Sequence, residues 1–351
     1  MRAVVLTGIR KMELADVPEP SIKKDTDVLL KVEVVGVCGS DVHYYETGRI
    51  GSQIVEYPFI VGHECTATVK AVGSAVTRVK VGDEVVVDPA ASCNECDQCR
   101  QGRENTCRKL RFLGTPGQGN GCLCEYIVMP QGSCYPTKGA ITLEQGVLCE
   151  PFAIGVYSVK QARMPKRATV AILGSGPIGL SCMAAIQAEN AEAMYSMANA
   201  IYMTDKIKER MEIAKKAGAI WVGNPEKHDI VKEILKQHQL GMDVVYECAG
   251  QQETLDEAVE LLKPGGRLLV VGIPRLGRVS FSIDKIRRKE ITIVNIRRQN
   301  HCTQMAIDLI ATGRAKIDFM ITHRFKLEQT QGAFDMVAEY RDGVVKALIE
   351  F

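Results

Sequence analysis

The sequence predicts an α/β protein in which a doubly wound parallel sheet is inserted between two pieces of a β-rich domain. Three observations carry this. Residues 1 to about 152 run as short alternating strands broken by glycine-rich turns. From about 165 the texture changes to strand, turn and helix in repeated succession, which calls for a parallel sheet with helical crossovers. After about 295 the pattern turns irregular and closes in strands. The expected division is 1–153 with 295–351 for the β-rich domain and 154–294 for the inserted domain.

The elements follow in chain order. MRAVVLTGIRK alternates like a strand and lacks the apolar core and cleavage site of a signal peptide. VLLKVEVVGV (28–37) and ECTATVKAVGSAVTRVKVGDEVVVD (64–88) mix period-two alternation with glycine turns, as in a strongly bent sheet. ATVAILG is a short buried strand, and GPIGLSCMAAIQA opens a helix. AIYMTD is the next strand, followed by the helix KIKERMEIAKKAGA with Gly218 just past its end. MDVVYEC, ETLDEAVELLKPGG and RLLVVG add strand, helix and strand. A helix is expected near 303–312, with closing strands in HRFKL and VVKALIEF.

Composition narrows the function. A chain of 351 residues can hold two domains with sizeable cores. With 46% hydrophobic and 25% charged residues the balance is that of a globular protein, and a net charge of +2 recommends neither nucleic acid nor an anionic membrane as partner. No apolar run is long enough to span a bilayer. Thirteen cysteines, an odd number scattered through a long chain, fit reduced thiols in the cytoplasm better than a disulfide framework. The basic run Lys285–Lys289 reads as a solvated helix face.

Four of those cysteines are grouped. Cys93, Cys96, Cys99 and Cys107 follow C-x2-C-x2-C-x7-C, a spacing that lets one loop curl round a tetrahedral zinc. Four thiolates close the coordination shell, so such an ion braces the loop and activates nothing. Cys122, Cys124 and Cys134 are expected to be packed thiols.

Gly174, Gly176 and Gly179 form G-S-G-P-I-G directly after the apolar strand, the dinucleotide fingerprint of a Rossmann sheet. Gly174 makes the tight turn, Gly176 lets the backbone approach a pyrophosphate, and Gly179 allows close helix packing. Helix-end N–H groups then face the phosphates. Asp205, ending the next strand, is placed to bind both ribose hydroxyls and to repel the extra phosphate of NADP. It stands farther from the fingerprint than the usual spacing of about 20 residues. The excess lies near 189–200, as a longer helix or an inserted loop. Arg210 is expected either across the adenine or as a solvated helix charge.

Cys38 in VGVCGSDVH and the pair His63–Glu64 in VGHECTATV offer thiolate, imidazole and carboxylate, all of which zinc accepts. A catalytic site uses three such ligands and keeps one position exchangeable. Glu150, in an LCEP turn, is a further acidic candidate.

These motifs carry a resemblance over nearly the whole chain. CGSDVHYYETGRIGSQIVEYPFIVGHE (38–64), LCEP, NIRRQN (295–300) and THRFKLEQTQGAF (322–334) resemble the zinc-dependent medium-chain dehydrogenases, and within them the sorbitol (L-iditol) and xylitol dehydrogenase branch. The resemblance implies a GroES-like catalytic domain beside the Rossmann domain. It implies catalytic zinc on Cys38, His63 and Glu64, with Glu150 on the ion or on its water, and structural zinc on Cys93, Cys96, Cys99 and Cys107. Ser40 and His43 match a proton relay. Tyr44, Phe112 and Arg297 match residues lining a polyol pocket, and Ile178, Val271, Gly272 and Ile273 match contacts to NAD. Arg298 departs from the pattern, standing where sorbitol enzymes commonly carry tyrosine.

The implied activity is NAD-dependent oxidation of a sugar alcohol to a ketose by a cytoplasmic homotetramer or homodimer. An L-threonine 3-dehydrogenase or another zinc alcohol or diol dehydrogenase shares the metal and cofactor motifs. A zinc-free quinone reductase would lack them. A catalytically silent NAD-binding protein would hold the structural ion alone.

Overall fold

A computed structural model describes residues 1–192, 198–274 and 276–351. The chain forms two compact units, Met1–Glu150 with Ile321–Phe351, and Pro151–Met320.

In the first unit, among the described residues, the main sheet runs Cys134–Pro136, Glu84–Val87, Glu64–Val72, Asp27–Gly36, Lys346–Glu350 and Ile321–Lys326; Tyr126–Pro130 also pairs with Asp27–Gly36. Neighbours are antiparallel except the last pair. Strand Asp27–Gly36 shows why. Val28, Leu30 and Val32 alternate with half-buried residues and are fully enclosed in the core, each contributing about 1.5–3 kcal/mol by leaving water. Val34 points to the other face and packs with Val147 and Leu348, so both sides of this strand are covered near its end.

The second unit carries a parallel sheet ordered Trp221–Gly223, Ala198–Thr204, Ala168–Leu173, Met242–Glu247, Leu262–Val270 and Thr292–Asn295 among the described residues. In chain order that is 3-2-1-4-5-6, the dinucleotide-binding topology. Its central strand Ala168–Leu173 is almost continuously apolar and buried, as in a parallel sheet covered on both faces. Ala171, Leu173, Val245, Leu255 and Leu268 are completely buried in its core.

The compact units divide at Met320/Ile321, so residues 295–320 pack with the second unit, and one expectation changes, at LCEP. Met320 reaches Ser181 Oγ at 4.0 Å, and Arg314 Nη2 donates to the Ala188 carbonyl at 3.2 Å. Helix Thr303–Ala311, with Ala306, Ile307, Leu309 and Ile310 buried, lies in that segment. LCEP is no turn: Pro151 sits inside helix Leu143–Ala162. Proline removes one helical hydrogen bond, and the fully buried Val147, Leu148, Cys149, Phe152 and Ala153 hold the helix through it. Thr142 and Gln145 start this helix as a reciprocal cap, each side chain bonding the other's backbone N–H at 3.1 and 3.0 Å.

The excess before Asp205 is partly helix, since Pro177–Glu192 runs on to the limit of that described segment; residues 193–197 lie outside the described residues. Among the described residues, no helix is long and apolar enough to cross a membrane.

Candidate functional site

The first unit gathers Cys38, His63 and Glu64. Cys38 precedes helix Gly39–Thr47, and Glu64 opens strand Glu64–Val72. One donor atom from each lies within 4.8 Å of the others. His63 Nδ1 meets Asp41 Oδ1 at 3.1 Å, and the same oxygen accepts the Gly62 amide at 3.2 Å. That leaves Nε2 as the ring nitrogen able to bind a metal. Burial alone would lower the His63 pKa, but Asp41 and Cys38 outweigh it and hold the ring above its ordinary value.

Glu64 is held in a built cradle. A Cβ on Gly36 would come within 2.4 Å of Glu64 Oε2, so only glycine leaves room for that carboxylate. Lys346, 1% exposed, donates to Glu64 Oε1 at 2.8 Å and Oε2 at 2.5 Å. Glu150 is buried nearby in charge terms: burial pushes its pKa up to about 7, Glu64 and Asp88 add to this, and His63 and Lys346 oppose it. Thiolate, imidazole and carboxylate donors, with one imidazole oriented by a carboxylate, fit a catalytic zinc with an exchangeable position.

The second cluster fits a structural ion. The sulfurs of Cys96–Cys99, Cys93–Cys107, Cys96–Cys107 and Cys93–Cys99 stand 3.6, 3.5, 3.9 and 3.9 Å apart. A tetrahedron with metal–sulfur bonds near 2.3 Å has edges of about 3.8 Å, whereas a disulfide needs about 2.05 Å. Backbone N–H groups of Arg108 and Cys99 bring the Cys96 thiol down to about 6, toward the thiolate a metal requires.

Around the three donors, Ser40 Oγ donates to Cys38 Sγ at 3.3 Å. Ser40 and His43 are three residues apart on helix Gly39–Thr47 and so share a face. The Phe112 ring centre lies 5.3 Å from that of His63. Tyr44 is buried and donates to Gln53 Oε1 at 3.0 Å. Arg297 belongs to the second unit, exposed just past strand Thr292–Asn295.

In that unit the fingerprint turn is sterically closed to other residues. Gly174 has φ +108°, and a Cβ on Gly179 would lie 1.9 Å from the Gly174 carbonyl oxygen. Above Gly176 the backbone is open, with Arg210 Nη1 3.5 Å from a virtual Cβ. Arg210 is buried, against the solvated helix charge, with its guanidinium beside the glycine turn at Gly176. Asp205 accepts the Ser175 amide at 2.8 Å and the Ile207 amide at 2.9 Å. Ile178 is half-buried in the first turn of helix Pro177–Glu192. Val271 and Gly272 both donate to the Glu247 carbonyl at 2.9 Å, and Ile273 is exposed.

Sequence reasoning missed Asp41, Lys346 and Glu247. Asp41 stood inside the quoted CGSDVH motif. Lys346 carried the signal of a lone charge between apolar neighbours in VVKALIEF. Glu247, also fully buried, accepts the Ala249 and Gly250 amides and the Thr254 hydroxyl at 2.7–2.8 Å, fixing the loop beside Val271 and Gly272.

Residues 24–139 match the alcohol dehydrogenase GroES-like domain, and residues 179–312 match the zinc-binding dehydrogenase family. The sorbitol dehydrogenase of Bacillus subtilis (strain 168) is 36% identical over 350 residues, 99% of this chain and 97% of that protein. The D-xylulose reductase A of Aspergillus oryzae is 33% identical, over 95% of this chain and 92% of its own length. Among solved structures, galactitol-1-phosphate dehydrogenase from Escherichia coli superposes with a TM-score of 0.88 at 26% identity, covering 100% of both chains. A GroES-like unit with a converging zinc donor set, a dinucleotide-binding sheet and full-length relatives at this identity lead to one assignment: the chain belongs to the zinc-dependent medium-chain dehydrogenases, in their sorbitol- and xylitol-dehydrogenase-like branch.

Proposed function

We propose that this chain is an NAD-dependent zinc polyol dehydrogenase, oxidising a secondary hydroxyl of a sugar alcohol to a ketose and running in reverse as a ketose reductase. The observation that carries the reading is the convergence of Cys38, His63 and Glu64 within 4.8 Å in a chain similar throughout to sorbitol dehydrogenase and D-xylulose reductase. Cys38, His63 and Glu64 would hold the catalytic zinc, with Glu150 as a fourth acidic partner. Cys93, Cys96, Cys99 and Cys107 would hold the structural one. Bound zinc supplies Lewis acidity that makes an alcohol oxygen easier to deprotonate, and NAD accepts the hydride.

The chain's own groups do the rest. Asp41 fixes the His63 ring so that Nε2 stays available. Ser40 Oγ takes the substrate's hydroxyl proton and His43, on the same helix face, returns it to solvent. Tyr44, Phe112 and Arg297 are assigned to polyol recognition, Arg297 through a second hydroxyl. A site built to bond that hydroxyl rejects simple alcohols, which leave the guanidinium unmatched. Gly174, Gly176, Ile178 and Gly179 receive the pyrophosphate side of NAD, Asp205 the adenosine ribose, Arg210 the phosphate turn, and Val271, Gly272 and Ile273 the nicotinamide side.

The functional domains are taken as 1–153 with 295–351, and 154–294. A cytoplasmic setting is supported by the free state of the thirteen cysteines. A homodimer or homotetramer is supported by the open sheet edge at Thr292–Asn295 and by the exposed Ile273, Leu276, Val279 and Ile283.

A panel of sorbitol, xylitol, L-iditol and galactitol, read by NADH absorbance beside L-threonine and 2,3-butanediol, tests the assignment. Polyol turnover is expected; turnover of threonine or the diol without any polyol overturns it. Cys38→Ser and His63→Ala should each lower kcat/KM by at least about a thousandfold, as loss of a metal ligand does, with circular dichroism unchanged. Near-normal turnover by either variant removes the metal centre from the mechanism.

A further inference from the structure

The buried pair Lys346–Glu64 does something that metal ligation alone does not explain. Sheet register creates it: Gly36 pairs with Glu64 on one side and with Leu348 on the other. Lys346, two residues before Leu348, therefore shares its face. The missing Cβ of Gly36 leaves room for the Glu64 carboxylate. The ammonium takes both Glu64 oxygens and also the Val37 carbonyl at 3.3 Å. The pair is almost completely enclosed, at 2% and 1% side-chain exposure.

A buried lysine is costly unless matched. Here the groups whose charge acts on it are the buried Glu64 and Glu150 and the Cys38 sulfur, a thiolate when a metal is bound. A divalent ion and Lys346 together offset that negative charge further than either does alone. A carboxylate has about four lone-pair sites, so Glu64 can meet the ammonium and a metal at once.

Building on the zinc-dehydrogenase reading, we propose that Lys346 is a positioning residue of the metal centre, holding Glu64 through both oxygens and drawing off its charge so that the metal keeps its acidity and remains exchangeable. Without the ammonium, the full carboxylate charge falls on the metal, which is then bound more tightly and polarises its ligands less.

The test uses the whole protein loaded with cobalt(II) at the catalytic centre. Metal release to an excess of EDTA and the visible cobalt spectrum are the readouts, with zinc in the four-cysteine loop as internal control. Lys346→Met should release cobalt at least about tenfold more slowly, as expected for removal of a nearby buried charge, and should shift the cobalt bands. Lys346→Arg, which keeps charge and a two-pronged grip, should restore both. If the Met variant does not fold, Lys346→Gln, retaining a donor without the charge, carries the same expectation. A folded neutral variant with unchanged release and spectrum makes the lysine a strut and overturns the proposal. Wild-type protein that takes up metal in the four-cysteine loop alone would instead defeat the metal-centre reading itself.

Discussion

Asp205 shows how much one carboxylate can be asked to do. Both its oxygens already accept backbone N–H groups, from Ser175 in the phosphate turn and from Ile207 ahead of the next helix. Each carboxylate oxygen retains further lone pairs, which on the proposed reading would bond a ribose carrying two free hydroxyls and repel one carrying a phosphate. Charged hydrogen bonds are worth roughly 1.5–3 kcal/mol each. Asp205→Ala should therefore raise the KM for NAD by at least about tenfold and raise the ratio of NADP to NAD use in kcat/KM by a similar factor. An unchanged ratio, measured with the same polyol, removes Asp205 from cofactor choice. Gly174, Gly179 and Asp205 were legible in the sequence because each is dictated locally, by a turn, a helix start or a strand end. Arg210 was ambiguous, because its spacing from Asp205 does not say whether a five-bond side chain turns outward or folds back to the phosphate turn.

At the scale of elements, register decides what local pattern cannot. Strands Asp27–Gly36 and Glu64–Val72 were both readable from period-two alternation. Which residues they bring opposite one another was not readable. Gly36 falls beside Glu64 because the pairing shifts at Leu29/Leu30 and at Val32/Val34. Those bulges leave no mark in composition. The result is a glycine whose importance lies in another strand's carboxylate. Gly36→Ala would set a methyl 2.4 Å from Glu64 Oε2 and 2.8 Å from Val147 Cγ1. Both neighbours are buried, so the clash resolves by displacing Glu64. Loss of one zinc per chain by atomic absorption, with kcat reduced by at least about tenfold, is the expected result. Retention of both ions together with normal activity would show that the cradle has slack. The misread LCEP segment has the same origin: a proline reads as a stop in sequence, and only the buried faces of helix Leu143–Ala162 show why it is not one.

The whole molecule is assembled from distant pieces, and this limits what any local reading reaches. Lys346 and Glu64 are 282 residues apart in sequence, and the segment carrying Lys346 returns to the first unit only after the complete dinucleotide-binding unit has been traversed. The four-cysteine loop is the opposite case, a site wholly local in sequence whose effect is not. Residues 92–110 contain little regular structure beyond Asp97–Arg100 and Glu104–Thr106. Their ion pairs, Arg108–Asp97 and Lys109–Glu95, are largely exposed and so do little to hold the loop. Cys99 and Cys107 are buried, with their sulfurs against those of Cys96 and Cys93 respectively. On the proposed reading, a metal held by the four sulfurs is the main source of order for this loop. The loop leads through Ala90–Ala91 and Arg111–Phe112, a paired strand, to the Phe112 ring beside His63. Cys96→Ser should release the structural zinc, lower Tm by at least about 5 °C, and open Arg100, Arg103, Arg108 and Lys109 to trypsin. Cobalt at the catalytic centre should still bind, because none of its donors lies in the loop. Loss of polyol turnover should then track the mobility of Phe112 and appear as a raised KM more than as a lowered kcat. A Cys96→Ser protein that keeps its zinc and its resistance to trypsin would mean that packing, and not the ion, orders the loop.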